Sequence, residues 1–117
     1  SPGIMHVVDL RNLLEPREVA TFKVPGQTPH NFWLDESTGT LYLAWYGNGV
    51  RALDVTGDLL GELDHQGREI AGFVYNGGSG TCNRGSGDTC SWAPQFHGGL
   101  VWVSDMNEGL LGLEPPR

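Results

Sequence analysis

The chain has 117 residues, of which 18 are glycine and 7 proline. That share of backbone-breaking residues is well above the usual combined value of roughly 12%, which excludes long helices and leaves one domain with a modest core. Fourteen acids against seven bases give a net charge of −7, so there is no basic patch to release counterions and nucleic acid is excluded as a partner.

The 38% hydrophobic content, with four Trp, three Tyr and four Phe, is too rich for a disordered chain, while the longest apolar runs are too short for a membrane span. In chain order, strands are expected at Met5 to Leu10 and Val19 to Val24, with Arg11 to Glu15 forming a single helical turn between them. A run of four strands follows: Asn31 to Leu34, Leu41 to Tyr46, Val50 to Val55 and Leu59 to Asp64. Asp35-Glu36-Ser37-Thr38-Gly39 joins the first two, and Tyr46-Gly47-Asn48-Gly49 is a tight hairpin that needs positive backbone dihedrals. Along the second strand Leu41, Leu43 and Trp45 fall on one face and Tyr42, Ala44 and Tyr46 on the other. Both faces are largely apolar, so this sheet is expected to lie between two others. The chain closes with an opening strand near Trp92 to His97, then Gly99 to Met106 and Gly109 to Glu114, stopped by Pro115 and Pro116.

Between the second and third groups runs Gly77 to Cys90, too glycine-rich to form an element of its own. Cys82 and Cys90 are the whole cysteine complement. Closing such a loop removes unfolded-chain entropy worth roughly 2 to 3 kcal/mol, so a disulfide is expected. The alternatives are two free thiols, or a zinc site for which two cysteines fall short of four ligands. The residues up to Val8 carry no leader pattern, so the compartment is read from cysteine: a disulfide implies a secreted, periplasmic or cell-surface protein.

The chain repeats itself. At an offset of 45 residues His6-Val7-Val8-Asp9 lies over Arg51-Ala52-Leu53-Asp54, and at 60 Gly49 to Asp54 lies over Gly109 to Glu114 and Gly39 to Tyr46 over Gly99 to Met106. Val19 to Lys23 lies over Leu60 to Asp64. A period of about 45 with several short strands per unit is what four-stranded propeller blades produce. The expected fold is all-β, a β-propeller segment: a partial blade over residues 1–26, a complete four-stranded blade over 27–70, and a last blade over 71–117 with the Cys/Gly-rich insertion.

The phrases His6-Val7-Val8-Asp9-Leu10, Pro29-His30, Tyr42 through Val55 and Val103 through Leu110 resemble the LVIVD-repeat β-propellers of bacteria and archaea, over nearly the whole chain. The third unit departs from the pattern, Trp92-Ala93-Pro94-Gln95-Phe96-His97 standing in place of Pro-His. The resemblance implies a propeller of about six or seven blades, commonly exported and without a catalytic motif. Three partial blades are too few for such a ring. The chain is therefore expected to be the C-terminal portion of a longer one, completed by the remainder of the propeller or by symmetry copies.

His30 precedes the strand nearest a propeller's axis, where ligands often sit on one rim. With His97, Trp92 and Asp105 it forms the candidate ligand-binding set, for a protein or carbohydrate. A lone histidine is more simply read as making a capping or inter-blade hydrogen bond to backbone. Asp9 and Asp54 recur at one repeat position, which points to carboxylates that accept backbone N–H groups in turns; Asp105, with Ser104 and Asn107, suits a turn or a cation. No nucleophile elbow, phosphate loop or His-Glu-x-x-His is present, so no catalytic residue, metal site or cofactor is assigned. Binding or scaffolding is the expected role; the alternative is a metal-dependent enzyme with a rim pocket near His30, His97 and Asp105. Trp33, Trp45, Trp92 and Trp102 are expected to fill the spaces between sheets, an exposed Trp92 being the exception that would contact a ligand.

Overall fold

The computed structural model describes residues 3–76, 82–83 and 85–116; the glycine run 77–81 of the cysteine loop and Arg84 lie outside the described residues. The fold is all-β, built as three sheets that do not close on one another. The first sheet has the order β1 (Met5–Asp9), β2 (Arg17–Phe22), β6 (Gly61–Glu62). The middle sheet has the order β3 (Phe32–Asp35), β4 (Thr40–Ala44), β5 (Val50–Asp54), β7 (Glu69–Phe73). The last sheet has the order β10 (Gly109–Leu113), β9 (Leu100–Asp105), β8 (Ser91–His97).

The period-two alternation along β4 determines how the sheets stack. Leu43 and Trp45 join Ala20, Phe22, Leu53 and Leu63 in a buried cluster between the first and middle sheets. Tyr42, from the opposite face of β4, joins Val50, Ala52, Val101 and Val103 in a second cluster between the middle and last sheets. β4 and β5 of the middle sheet are thus covered on both faces, as their sequence requires, while Phe32, Trp33 and Leu34 of β3 and Ile70 and Phe73 of β7 stay exposed. Trp45 is fully buried; its indole N–H donates to the Gln27 carbonyl at 3.0 Å and its ring meets Phe22 edge-on, centroids 5.7 Å apart. Trp33, Trp92 and Trp102 all stay partly exposed, so only one of the four tryptophans fills a space between sheets.

The strand expected at Leu59 to Asp64 is not the fourth strand of the middle sheet. That place belongs to β7, which pairs antiparallel with β5. Gly61 at φ +75° interrupts the apolar run, leaving only the two-residue β6, which adds in parallel to β2 of the first sheet with Ala20 opposite Gly61 and Thr21 opposite Glu62. A 3-10 turn over Leu63–His65 then drops Leu63 into the first cluster. The signal for β7 lies in a second repeat: Arg17-Glu18-Val19-Ala20-Thr21-Phe22 recurs as Arg68-Glu69-Ile70-Ala71-Gly72-Phe73. Arg68 fastens the excursion between β5 and β7, its guanidinium donating to the carbonyls of Thr56 at 2.8 Å and Asp58 at 2.9 Å.

Two local expectations also shift. Residues 11–15 form a turn closed by Glu15 N–H on the Asn12 carbonyl at 3.1 Å, not a helical turn. The strand expected to reach Tyr46 stops at Ala44, because Tyr46 swings to φ 43°. In the same hairpin Gly49 sits at φ +74°, and a Cβ there would lie 2.0 Å from the Phe73 carbonyl oxygen. Only glycine satisfies both demands.

Leu63 is a leucine with no exposure at the seam of two sheets. Leu63→Ala is expected to lower stability by about 3 kcal/mol through lost burial and a residual cavity, whereas Leu14→Ala, in a side chain 92% exposed, changes it by less than about 0.5 kcal/mol. Urea unfolding of the two variants checks the contrast; equal midpoints would mean that Leu63 does not seal the seam.

Candidate functional site

Two of the four candidate ligand residues meet at the junction of the middle and last sheets. His30 is held by its backbone N–H on the Ala44 carbonyl at 2.9 Å, and Ala44 N–H returns to the Asn31 carbonyl at 2.9 Å, which extends the β3–β4 ladder backwards. Asn31 N–H donates across the junction to the Trp92 carbonyl at 3.2 Å, and His30 Nδ1 lies 2.8 Å from the same oxygen. A carbonyl only accepts, so Nδ1 carries a proton, and in the neutral ring Nε2 is then the acceptor. The His30 ring lies against the Trp92 ring, centroids 3.9 Å apart, and Tyr46 closes the group edge-on at 5.3 Å from His30 and 5.6 Å from Trp92.

Tyr46 reaches this position through its left-handed backbone, a conformation that costs a non-glycine residue on the order of 1 kcal/mol and is held here by Ser91. Ser91 is fully buried; its N–H donates to the Tyr46 carbonyl at 3.0 Å, its hydroxyl donates to the Gly49 carbonyl at 2.6 Å and accepts from Trp45 N–H at 3.1 Å. The junction offers an aromatic face, Trp92 being 37% exposed, with an imidazole acceptor beside it. Faces of this kind stack on sugar rings and on protein side chains.

Asp105 stands next to Ser91 in the β8–β9 ladder but is directed inward. One oxygen accepts the Tyr75 hydroxyl at 2.5 Å and Cys90 N–H at 2.6 Å; the other accepts Asn107 N–H at 2.7 Å and Glu108 N–H at 2.8 Å. Burial acts to raise its carboxyl, but the Tyr75 phenol and these three backbone donors outweigh it and hold the group below its ordinary value. Burial, reinforced by the same carboxylate, pushes the Tyr75 phenol far up. The turn role expected at Asp9 and Asp54 is also present: Asp9 accepts Arg11 N–H at 2.9 Å and Asp54 accepts Thr56 N–H at 2.8 Å. The Arg11 guanidinium hydrogen-bonded to Asp9 holds that carboxyl at about 2. Sequence reasoning missed Tyr75, whose partner lies 30 residues on, but the Asp-x-Asn spacing of Asp105 and Asn107, matching Asp54 and Thr56, does signal the turn.

Cys82 and Cys90 stand at disulfide distance, with Cα atoms 5.0 Å apart. The loop that they close is threaded by the Asn107 carboxamide, whose oxygen accepts Gly85 N–H at 2.8 Å and whose nitrogen donates to the carbonyls of Asn83 at 2.9 Å and Asp88 at 2.8 Å. His97 ends β8, five residues beyond Trp92 and so about 16 Å along the strand, where its carbonyl accepts the Trp102 indole N–H at 3.1 Å. His30, His97 and Asp105 are therefore not gathered into one rim pocket. Among the described residues no three His, Cys, Asp or Glu side chains are grouped to hold a metal ion.

Because Asp105 is depressed on folding, its contribution is fully present above the ordinary carboxylate value of 3.8 and is lost as pH falls through the lower folded value. Asp105→Asn, which turns an amide donor towards backbone donors, is expected to cost about 3 kcal/mol at neutral pH and to flatten the decline below that value. Urea midpoints measured across acid pH test both; a variant with the wild-type acid slope would place the linkage elsewhere. Replacing Cys82 and Cys90 by serine is expected to cost about 2.5 kcal/mol on the loop-entropy account. Intact mass without reductant checks the bond itself: alkylation of both thiols in the absence of denaturant would exclude it.

Among the described residues no helix is long and apolar enough to cross a membrane. Compared with known proteins, the chain matches no family model, no curated protein and no solved structure.

Proposed function

We propose that the chain is an arc of an exported β-propeller with a binding or scaffolding role, whose ring is completed by the remainder of a longer polypeptide or by symmetry copies. The observation that carries this reading is the middle sheet: it has four strands and is covered on both faces by sheets built from repeat-related strands. Repeat units of this kind bury their faces only by stacking, so the two outer sheets call for further neighbours. Val8 on the first sheet and Trp102 and Leu110 on the last are left exposed, and β1 and β10 each have one edge without a strand among the described residues. Bare apolar faces and free edges are sites of association. The cysteine pair at bonding distance supports an oxidising, extracytoplasmic compartment. Within such a ring the His30–Tyr46–Trp92 junction is the surface that would contact a protein or a carbohydrate.

Light scattering on the purified chain tests the assembly. A multiple of 12.7 kDa, or co-purification with a larger chain, is the expected result; a compact monomer of that mass with cooperative unfolding would refute it.

A further inference from the structure

Trp33 and Trp92 differ from the other two tryptophans in the same way. Trp45 and Trp102 each donate the indole N–H to a carbonyl, of Gln27 at 3.0 Å and of His97 at 3.1 Å. Trp33 and Trp92 donate theirs to no group among the described residues, and the two residues are 40% and 37% exposed.

Both stand on one seam. Trp33 pairs with Tyr42 in the β3–β4 ladder and so shares its face, the one that the last sheet covers. β3 runs beside β8. Asn31 N–H donates to the Trp92 carbonyl, so Trp33 lies two residues, about 7 Å, along the strand from that bond. Sheets stand on both sides of this seam, and the two indoles are bared at its edge rather than by a missing neighbour. Phe32 and Leu34 differ: they pair with Leu43 and Leu41 and face the first sheet, where a further strand would cover them. Closing a ring leaves the edge of the seam open, because the first strand of each propeller blade lines the central channel.

The polar groups along the edge are also unpaired. His30 Nε2, the Asn31 carboxamide and the Tyr46 hydroxyl make no hydrogen bond among the described residues. Asn31 to Leu34 and Ser91 to Gln95 include no charged residue, in a chain whose net charge is −7.

We propose that this edge binds a neutral oligosaccharide, its sugar rings laid against the Trp33 and Trp92 indoles and its hydroxyls bonded to the indole N–H groups, the His30 imidazole and the Asn31 carboxamide. A sugar presents C–H faces and hydroxyls together, which suits flat apolar rings set among unpaired donors and acceptors. An apolar peptide would cover the rings and leave those groups unpaired, at a cost for each. The acidic chain disfavours an anionic saccharide. The inference narrows the ligand assigned above to the His30–Tyr46–Trp92 junction and rests on that assignment, but not on the ring.

The probes are cellohexaose, maltohexaose and mannohexaose, titrated into the isotope-labelled 117-residue chain and followed by its four indole N–H resonances. At least one is expected to saturate with a dissociation constant on the order of 1 mM or tighter, moving the Trp33 and Trp92 signals and leaving those of Trp45 and Trp102 in place. That reading needs no variant. Trp33→Ala and Trp92→Ala are each expected to weaken binding at least about tenfold, and Trp102→Ala to leave it unchanged. Absence of saturation by any of the three up to about 10 mM, or binding that leaves both edge indoles unmoved, would overturn the proposal. Tighter binding of the anionic hexagalacturonate would do the same, as would a dimer that Trp33→Asp dissolves, which gives the edge to a second copy. Light scattering separates the two readings: a monomer that binds the sugars refutes the ring alone, and an assembly that ignores them refutes this inference alone.

Discussion

Leu43 and Trp45 on one side of the middle sheet, and Tyr42 and Ala52 on the other, stay dry only with a sheet against each side. That requirement orders the molecule. Trp45 is its heaviest part: an indole buried without loss of its hydrogen bond has to find an acceptor, and the Gln27 carbonyl that it takes lies in the connection from β2 to β3. The interaction therefore fixes the path of the chain between two sheets as well as their packing.

The alternation along β4 and the glycines of its turn were legible because they are local: period-two patterning and positive φ leave marks within a few residues. The fourth strand was not. Leu59 to Asp64 has as much apolar character as the true β7, and the choice between them depends on Gly61, whose φ of +75° breaks extension, and on a repeat displaced by the insertion between Asp54 and Arg68. At the site, His30 and Trp92 each stood out in the sequence, but their rings are brought together by bonds from His30 and Asn31 to the Trp92 carbonyl, 62 residues beyond His30, which no local pattern announces. Asp105 was readable as a turn residue and opaque as the partner of Tyr75, since that contact is made only when the last sheet closes on the segment after β7.

One local device is used four times with different yields. Asp9, Asp35, Asp54 and Asp105 each accept an N–H two residues on. At the first three the carboxylate serves its own turn or a neighbouring side chain. At Asp105 the second oxygen reaches away, to a phenol and to the backbone of Cys90, so an ordinary turn becomes the anchor of the cysteine loop. Asn107, two residues later, fills that loop with its carboxamide, and the two side chains couple the β9–β10 turn to the segment before β8.

The parallel pairing of β6 also bears on the order in which the chain assembles. The remaining ladders join strands adjacent in sequence, β5 to β7 apart, and can zip from their turns. Joining residue 20 to residue 61 must instead close a loop that contains the whole β3–β4–β5 meander, and its loop-closure entropy is met only when Leu63 finds its place. Among the described ladders β2–β6 thus spans the longest stretch of chain. The seam sealed by Leu63 would form late, outside the nucleus, so weakening it would speed unfolding while leaving the folding rate nearly unchanged.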